Sequence, residues 1–126
     1  MTVVDASVVL RRLRWRSPEA SAVLRRGELA APALIGAETA NGLATAVRFA
    51  GLDADAAAAL LGEGLALPID LVPDRELVVE ALAFAKALDL SAYDASYVAL
   101  AERLRAPLAT ADRRLAERYD RSELIP

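Results

Sequence analysis

The sequence predicts a single α/β domain in which a mostly parallel central sheet is flanked by helices on both faces. Three observations carry this. Short apolar runs alternate with longer helical stretches, as a parallel sheet with crossover helices requires. Asp5 and Asp112 fall at the ends of two of those runs, the edge where such sheets place their sites. The chain has 126 residues, 56% of them hydrophobic, enough for one core and too few for two domains.

Taken in order, Thr2 to Asp5 reads as a short buried strand and Ala6 to Arg14 as the helix that follows it. Ser17-Pro18 starts a second helix, with proline at the first helical position and Gly27 closing the end. Leu29 to Ala31 is a short strand, and Pro32 opens a long helix ending near Gly51. Asp53 is placed to cap an alanine-rich helix to about Leu65. Ile69 to Val72 reads as a strand, Asp74 begins a helix through Ala87, and Ser91 begins another through Leu104. Pro107 to Thr110 is a strand, Asp112 starts a last helix ending near Tyr119, and a final strand lies around Leu124 and Ile125. No linker, repeat or low-complexity segment breaks the chain apart from the helix-forming run Ala56 to Ala59.

Composition narrows the functional classes. A formal net charge of −3 and a pI near 5.0 argue against coating nucleic acid through a global basic field, so no DNA binding by this chain alone is expected. The absence of cysteine excludes a disulfide framework, and the N-terminus lacks the order of a signal peptide, so the expected location is the cytoplasm. The uncharged runs are too short for a membrane span of about 20 residues. Fourteen of the fifteen basic residues are arginine, the exception being Lys86. Most of these arginines read as solvated helix faces. Arg11, Arg12, Arg113 and Arg114 stand out as candidates for phosphate because they closely follow Asp5 and Asp112, and the guanidinium fork suits phosphate.

Four acids sit where acids are awkward: Asp5 after Val3-Val4, Glu38 as the only charge between Leu29 and Val47, and Asp94 and Asp112 at helix starts. Asp5 and Asp112 each have a plain reading as helix caps. Ser91-Ala92-Tyr93-Asp94 also matches a capping box, in which the acid bonds back to the cap residue. Glu38 is expected inside its helix, bordering the apolar arc of Ile35, Thr39, Leu43, Ala46 and Ala50, where a lone carboxylate is costly to bury. Clustered carboxylates raise each other's pKa unless a cation neutralises them. With no histidine or cysteine in the chain, the oxygen-only set favours Mg2+, with Mn2+ as the alternative, over zinc.

Val3-Val4-Asp5-Ala6-Ser7, the stretch Ala31-Pro32-Ala33-Leu34 leading to Glu38 and Asn41, and above all Leu90 to Ala101 followed by Pro107 to Asp112 resemble the PIN-domain ribonucleases, specifically the VapC toxins of toxin–antitoxin pairs. The resemblance covers essentially the whole chain. It implies a single PIN-like domain and a catalytic quartet of Asp5, Glu38, Asp94 and Asp112, with Asp5, Asp94 and Asp112 holding the metal and Ser7, Thr110 and Asn41 supporting them. It further implies single-stranded or loop RNA as substrate, a homodimer, and an antitoxin that blocks the site. After Asp112 the chain reads Arg113-Arg114-Leu115, without a further carboxylate.

The reaction expected of such a site is metal-dependent hydrolysis leaving a 5′-phosphate. Glu38 would position or deprotonate water, and Arg11 or Arg12 would assist at the phosphate. Without histidine, the 2′-hydroxyl route through an imidazole pair is closed. A haloacid-dehalogenase phosphatase is disfavoured because Ser7 stands where its second aspartate would be, and a receiver domain because Lys86 lies in a helix. The non-enzymatic alternative is a PIN-like scaffold that docks an antitoxin-like partner or RNA without cutting.

Overall fold

The computed structural model describes all residues, 1–126. Five strands form one sheet in the order β3-β2-β1-β4-β5: β1 Thr2–Val4, β2 Leu29–Pro32, β3 Ile69–Val72, β4 Leu108–Thr110 and β5 Ser122–Leu124. Every neighbouring pair is parallel, with Val3 opposite both Ala30 and Leu108. Seven helices connect and cover them: α1 Ala6–Trp15, α2 Pro18–Leu24, α3 Ile35–Phe49, α4 Ala54–Leu65, α5 Val78–Leu88, α6 Ala92–Leu104 and α7 Arg113–Arg118.

The central strands are buried on both faces, which is why their sequence does not alternate. Successive residues Val3 and Val4, and Leu108 and Ala109, point to opposite sides of the sheet, and all four are 0% exposed. Helices α1 to α4 pack among themselves, α5 and α6 pack together, and α6 lies along β1, β2 and β4. The edge strand β3 is half open to solvent, with Asp70 and Leu71 exposed. Leu108 therefore occupies the middle of the core. Leu108→Ala should lower unfolding free energy by about 2–5 kcal/mol, read from urea denaturation; a cost below about 1 kcal/mol would mean that the sheet centre is not the core.

Several boundaries differ from the sequence expectation. Pro32 ends β2 rather than opening a helix. It pairs with Val72 on one side only, because β1 stops at the Val3–Ala30 register, so no partner is missed by its absent N–H. The chain then turns through Ala33 and Leu34, and α3 begins at Ile35. Consequently Glu38 lies in the first turn of α3, not in its interior. Asp74 does not start α5 either. It begins a single 3-10 turn, Asp74–Glu76, and its carboxylate accepts from the Leu34 N–H at 3.1 Å, tying down the loop before α3. Helix α2 ends at Leu24, short of Gly27, with Arg25 as its C-cap. The last strand starts earlier than expected, at Ser122, although the Ile125 N–H still donates to the Thr110 carbonyl at 2.8 Å.

The caps read from the sequence form as expected. Ser17 Oγ accepts from the Ala20 N–H at 3.2 Å and Asp53 from the Ala56 N–H at 3.0 Å. Gly51, at φ +71°, turns the chain out of α3 in the left-handed region that glycine enters freely.

Candidate active site

The strand order decides where the site lies. The chain builds outward from β1 through β2 to β3, then returns to place β4 on the other side of β1, so the direction of connection switches between β1 and β4. Crevices at the carboxyl ends of strands flanking such a switch are the natural binding place in an open α/β sheet. Asp5 directly follows β1, and Asp112 lies two residues beyond β4. Helix α3 leaves the same edge after β2 and carries Glu38 in its first turn. Helix α6 leads back to the start of β4, so its N-terminal end, with Asp94, faces the carboxyl edge.

All four acids line one cleft of about 530 Å³, together with Ser7, Asn41, Tyr93 and Tyr97. No lysine or arginine lines it. Asp5 is the most enclosed, 6% exposed. One of its oxygens accepts from Ser7 Oγ at 2.5 Å and from the Val8 N–H at 3.3 Å, and the other accepts from Thr110 Oγ1 at 2.5 Å. Those hydroxyls are fixed in turn, because Ser7 Oγ accepts from the Ala111 N–H at 2.7 Å and Thr110 Oγ1 from the Asp112 N–H at 3.0 Å. Asp5 caps α1 and is also locked across the β1–β4 boundary by Ser7 and Thr110 while lining the cleft.

Asp112 caps α7, accepting from the Arg114 N–H at 2.9 Å and the Leu115 N–H at 3.3 Å. Asp94 completes only half of its capping box. Its N–H donates to Ser91 Oγ at 3.1 Å, but its carboxylate makes no return bond to the Ser91 backbone and lines the cleft instead. Burial raises the Asp5 pKa from 3.8 to about 6, against the lowering effect of its hydrogen bonds, and Asp112 adds repulsion. Glu38 and Asp94 are also raised, first by burial; Asp94 adds repulsion at Glu38 and Asp112 adds it at Asp94.

A model of the PIN domain family matches residues 2–121. The chain belongs to the PIN domain family. Among solved structures, this PIN domain is similar to PAE2754 from Pyrobaculum aerophilum, at 29% identity and a TM-score of 0.78, covering 96% of this chain and 81% of that one. It also resembles a chain of a toxin–antitoxin complex from Klebsiella pneumoniae, at 15% identity and a TM-score of 0.72, with 98% and 96% of the two chains covered. A third neighbour is VapC20 of Mycobacterium tuberculosis, a sarcin–ricin loop cleaving toxin, at 15% identity and a TM-score of 0.68, with 93% and 94% covered. No curated protein matches the chain in sequence.

The PIN fold brings together the quartet expected from the sequence, with Ser7 and Thr110 as direct supports of Asp5 and Asn41 on the cleft wall. The arginines divide. Arg11 and Arg113 line grooves next to the cleft. Arg114 donates to the Asp89 carbonyl at 3.2 Å and lowers the Asp94 pKa through its charge. Arg12 is turned to Glu63 at 3.8 Å and lines none of these surfaces, so it is not placed to meet phosphate.

Sequence reasoning missed Tyr97. Its ring is buried in the core of this PIN domain, 1% exposed, and its hydroxyl donates to Glu38 Oε1 at 2.5 Å. That bond joins α6 to α3 and leaves Glu38 Oε2 free. The available signal was spacing, since Tyr97 follows Asp94 by three residues and shares its helix face. Tyr97→Phe should keep the fold but lower the cleavage rate about 10- to 100-fold at nearly unchanged KM, by analogy with the loss of an outer-shell partner. A wild-type rate in that variant would show that Glu38 needs no such anchor.

The donor set fits a hard divalent cation. It is all oxygen, no basic side chain lines the cleft, and three of its carboxyls are held above their ordinary pKa by burial and by neighbouring acids, with Arg114 only partly opposing this at Asp94. The four line the cleft wall without three of them closing on one point. Asp5, Asp94 and Asp112 are the groups that would hold such an ion.

Proposed function

We propose that this PIN domain is a VapC-like toxin: an endoribonuclease that hydrolyses RNA phosphodiester bonds with Mg2+ or Mn2+ and is held in check by an antitoxin. The observation that carries the reading is the convergence of Asp5, Glu38, Asp94 and Asp112 from four separate elements on one cleft that contains no cation of its own. The likeness to VapC20 and to the toxin–antitoxin complex supports it.

In this mechanism Asp5, Asp94 and Asp112 would hold the ion, which when bound would supply charge neutralisation and make water easier to deprotonate. Glu38, held by Tyr97 through Oε1, takes the proton from the attacking water with Oε2. Its pKa, raised by burial, brings it closer to neutrality and makes it a better base than an exposed glutamate. Ser7 and Thr110 keep Asp5 from rotating, so the site is organised before substrate arrives. Hydrolysis by this route leaves a 5′-phosphate and a 3′-hydroxyl.

The test is incubation of purified protein, freed of any partner, with total bacterial RNA in Mg2+ or Mn2+ and in EDTA. Discrete fragments that need metal and carry 5′-phosphate are expected. A 2′,3′-cyclic phosphate product would overturn the mechanism, and no cleavage in any metal would favour a docking role for the scaffold.

The outward face of α5 supports the homodimer. Val79 is 79% exposed, Leu82 62% and Val78 52%, an apolar strip that a second copy would cover. Light scattering of the purified chain should give twice the monomer mass, and Leu82→Glu should return it to monomer. A wild-type monomer at high concentration would remove the dimer from the proposal.

A further inference from the structure

We infer that Trp15, with Arg11 and Arg14, forms a binding site for an unpaired nucleobase and its flanking phosphates on the RNA strand leaving the acidic cleft. This rests on the ribonuclease reading and specifies where the substrate runs. Trp15 is the only tryptophan in the chain, yet it stands at the end of α1 with 59% of its surface exposed. The Arg14 guanidinium lies over its ring at 4.8 Å from the centroid, and Arg11 more loosely at 5.7 Å.

These side chains line a groove of about 250 Å³ that shares Ser7, Leu10 and Gly42 with the acidic cleft, so the two form one continuous depression. The charge changes sign along it: all four site acids are on the cleft side, and the Trp15 groove contains arginines and no acid. A neighbouring groove continues through Arg11 to Arg113.

Six of the fourteen arginines are paired with acids, and the three lining these grooves are not among them. Arg12, Arg16, Arg26, Arg103, Arg118 and Arg121 each face a carboxylate, whereas Arg11, Arg14 and Arg113 face none. Arg11 Nε is moreover buried without a hydrogen-bond partner, a donor lacking its acceptor. Positive charge without counter-ions, beside an exposed aromatic face and continuous with a phosphodiester-cleaving cleft, matches single-stranded nucleic acid: the backbone follows the guanidiniums and a base stacks on the indole. Along α1 the ten residues from Asp5 to Trp15 span about 15 Å, which separates this base from the scissile phosphate.

The lone tryptophan makes the test independent of cleavage. Asp94→Asn protein is titrated with a short single-stranded oligoribonucleotide of mixed sequence, following tryptophan emission and, in parallel, the anisotropy of the end-labelled strand. Saturable quenching in step with binding is expected. Adding Trp15→Ala should weaken binding about five- to hundredfold, Trp15→Tyr should retain most of it, and Arg14→Ala should lower the salt dependence by about one phosphate contact. Circular dichroism checks that these substitutions leave the fold intact. RNA binding with unquenched tryptophan and an unaffected Trp15→Ala variant would overturn the proposal while leaving the nuclease reading in place. So would Trp15→Ala weakening capture of a protein partner but not of RNA. No RNA binding by any variant would overturn both.

Discussion

Asp94→Asn is expected to reduce RNA cleavage by at least about a hundredfold, taking the 10- to 100-fold cost of losing an outer-shell partner as a lower limit for losing a metal-binding group itself. The carboxylate is half-buried, makes no return bond to the Ser91 backbone, and lies close enough to Asp112 and Glu38 for each pair to interact electrostatically. Its removal therefore takes a charged oxygen from the cleft without breaking the cap, which the backbone N–H makes with Ser91. The variant should unfold at the same temperature as wild type or slightly above it, because a group whose ionisation burial opposes has been made neutral. Mn2+ affinity, measured by calorimetry, should fall together with the rate. Asp89→Asn is the control: that side chain is 88% exposed, pairs only with Arg118, and has the left-handed backbone that asparagine tolerates. Wild-type cleavage by Asp94→Asn would remove the quartet from the mechanism.

The second large effect is on stability. In EDTA, the protein should lose about 3 kcal/mol from Asp5 alone as pH rises from about 4 to about 6, the value of a shift from 3.8 to about 6 at 1.36 kcal/mol per unit. The native state holds the Asp5 proton more tightly than the unfolded chain does. In that window it therefore binds more protons, stability falls with rising pH, and the loss is complete above the folded-state value. Glu38 and Asp94, also raised, act in the same direction. Glu63, Glu80 and Glu123, lowered mainly by hydrogen bonds, act the other way, but they lie on surface ion pairs that solvent screens. Urea denaturation at about pH 4 and about pH 6.5 reads the slope, with Mn2+ expected to restore the loss by binding only the folded, ionised site. Asp5→Asn should flatten the dependence and raise stability at neutral pH. A wild-type protein in EDTA that becomes more stable across that interval would contradict the buried-charge account.

Much of the fold was legible because its signals are local. The Ser17, Asp53, Ser91 and Asp112 caps are read from residue type and position, and each forms the hydrogen bond its chemistry calls for. The boundaries that shifted depended on distant partners. Pro32 suits a strand end only because the pairing of β2 with β1 ends two residues before it, at Ala30, and Asp74 serves as an anchor only because Leu34 comes back past it. Glu38 drew attention for its isolation in sequence, yet what fixes it is Tyr97, distant in sequence and only three residues from Asp94.

By itself the sequence determined the α/β class, the order of the elements, the four acids and the all-oxygen chemistry they offer a cation. These follow from periodicity, capping and residue type, which act within a few positions. Only the tertiary structure decided that β1 and β4 meet at the switch point, that Asp94 lines the cleft, that Tyr97 holds Glu38, and that Arg12 faces Glu63 while Arg11 and Arg14 gather at Trp15. Such outcomes depend on which buried surfaces meet and which charges are left without partners. Residues far apart in the chain settle both only when the core closes.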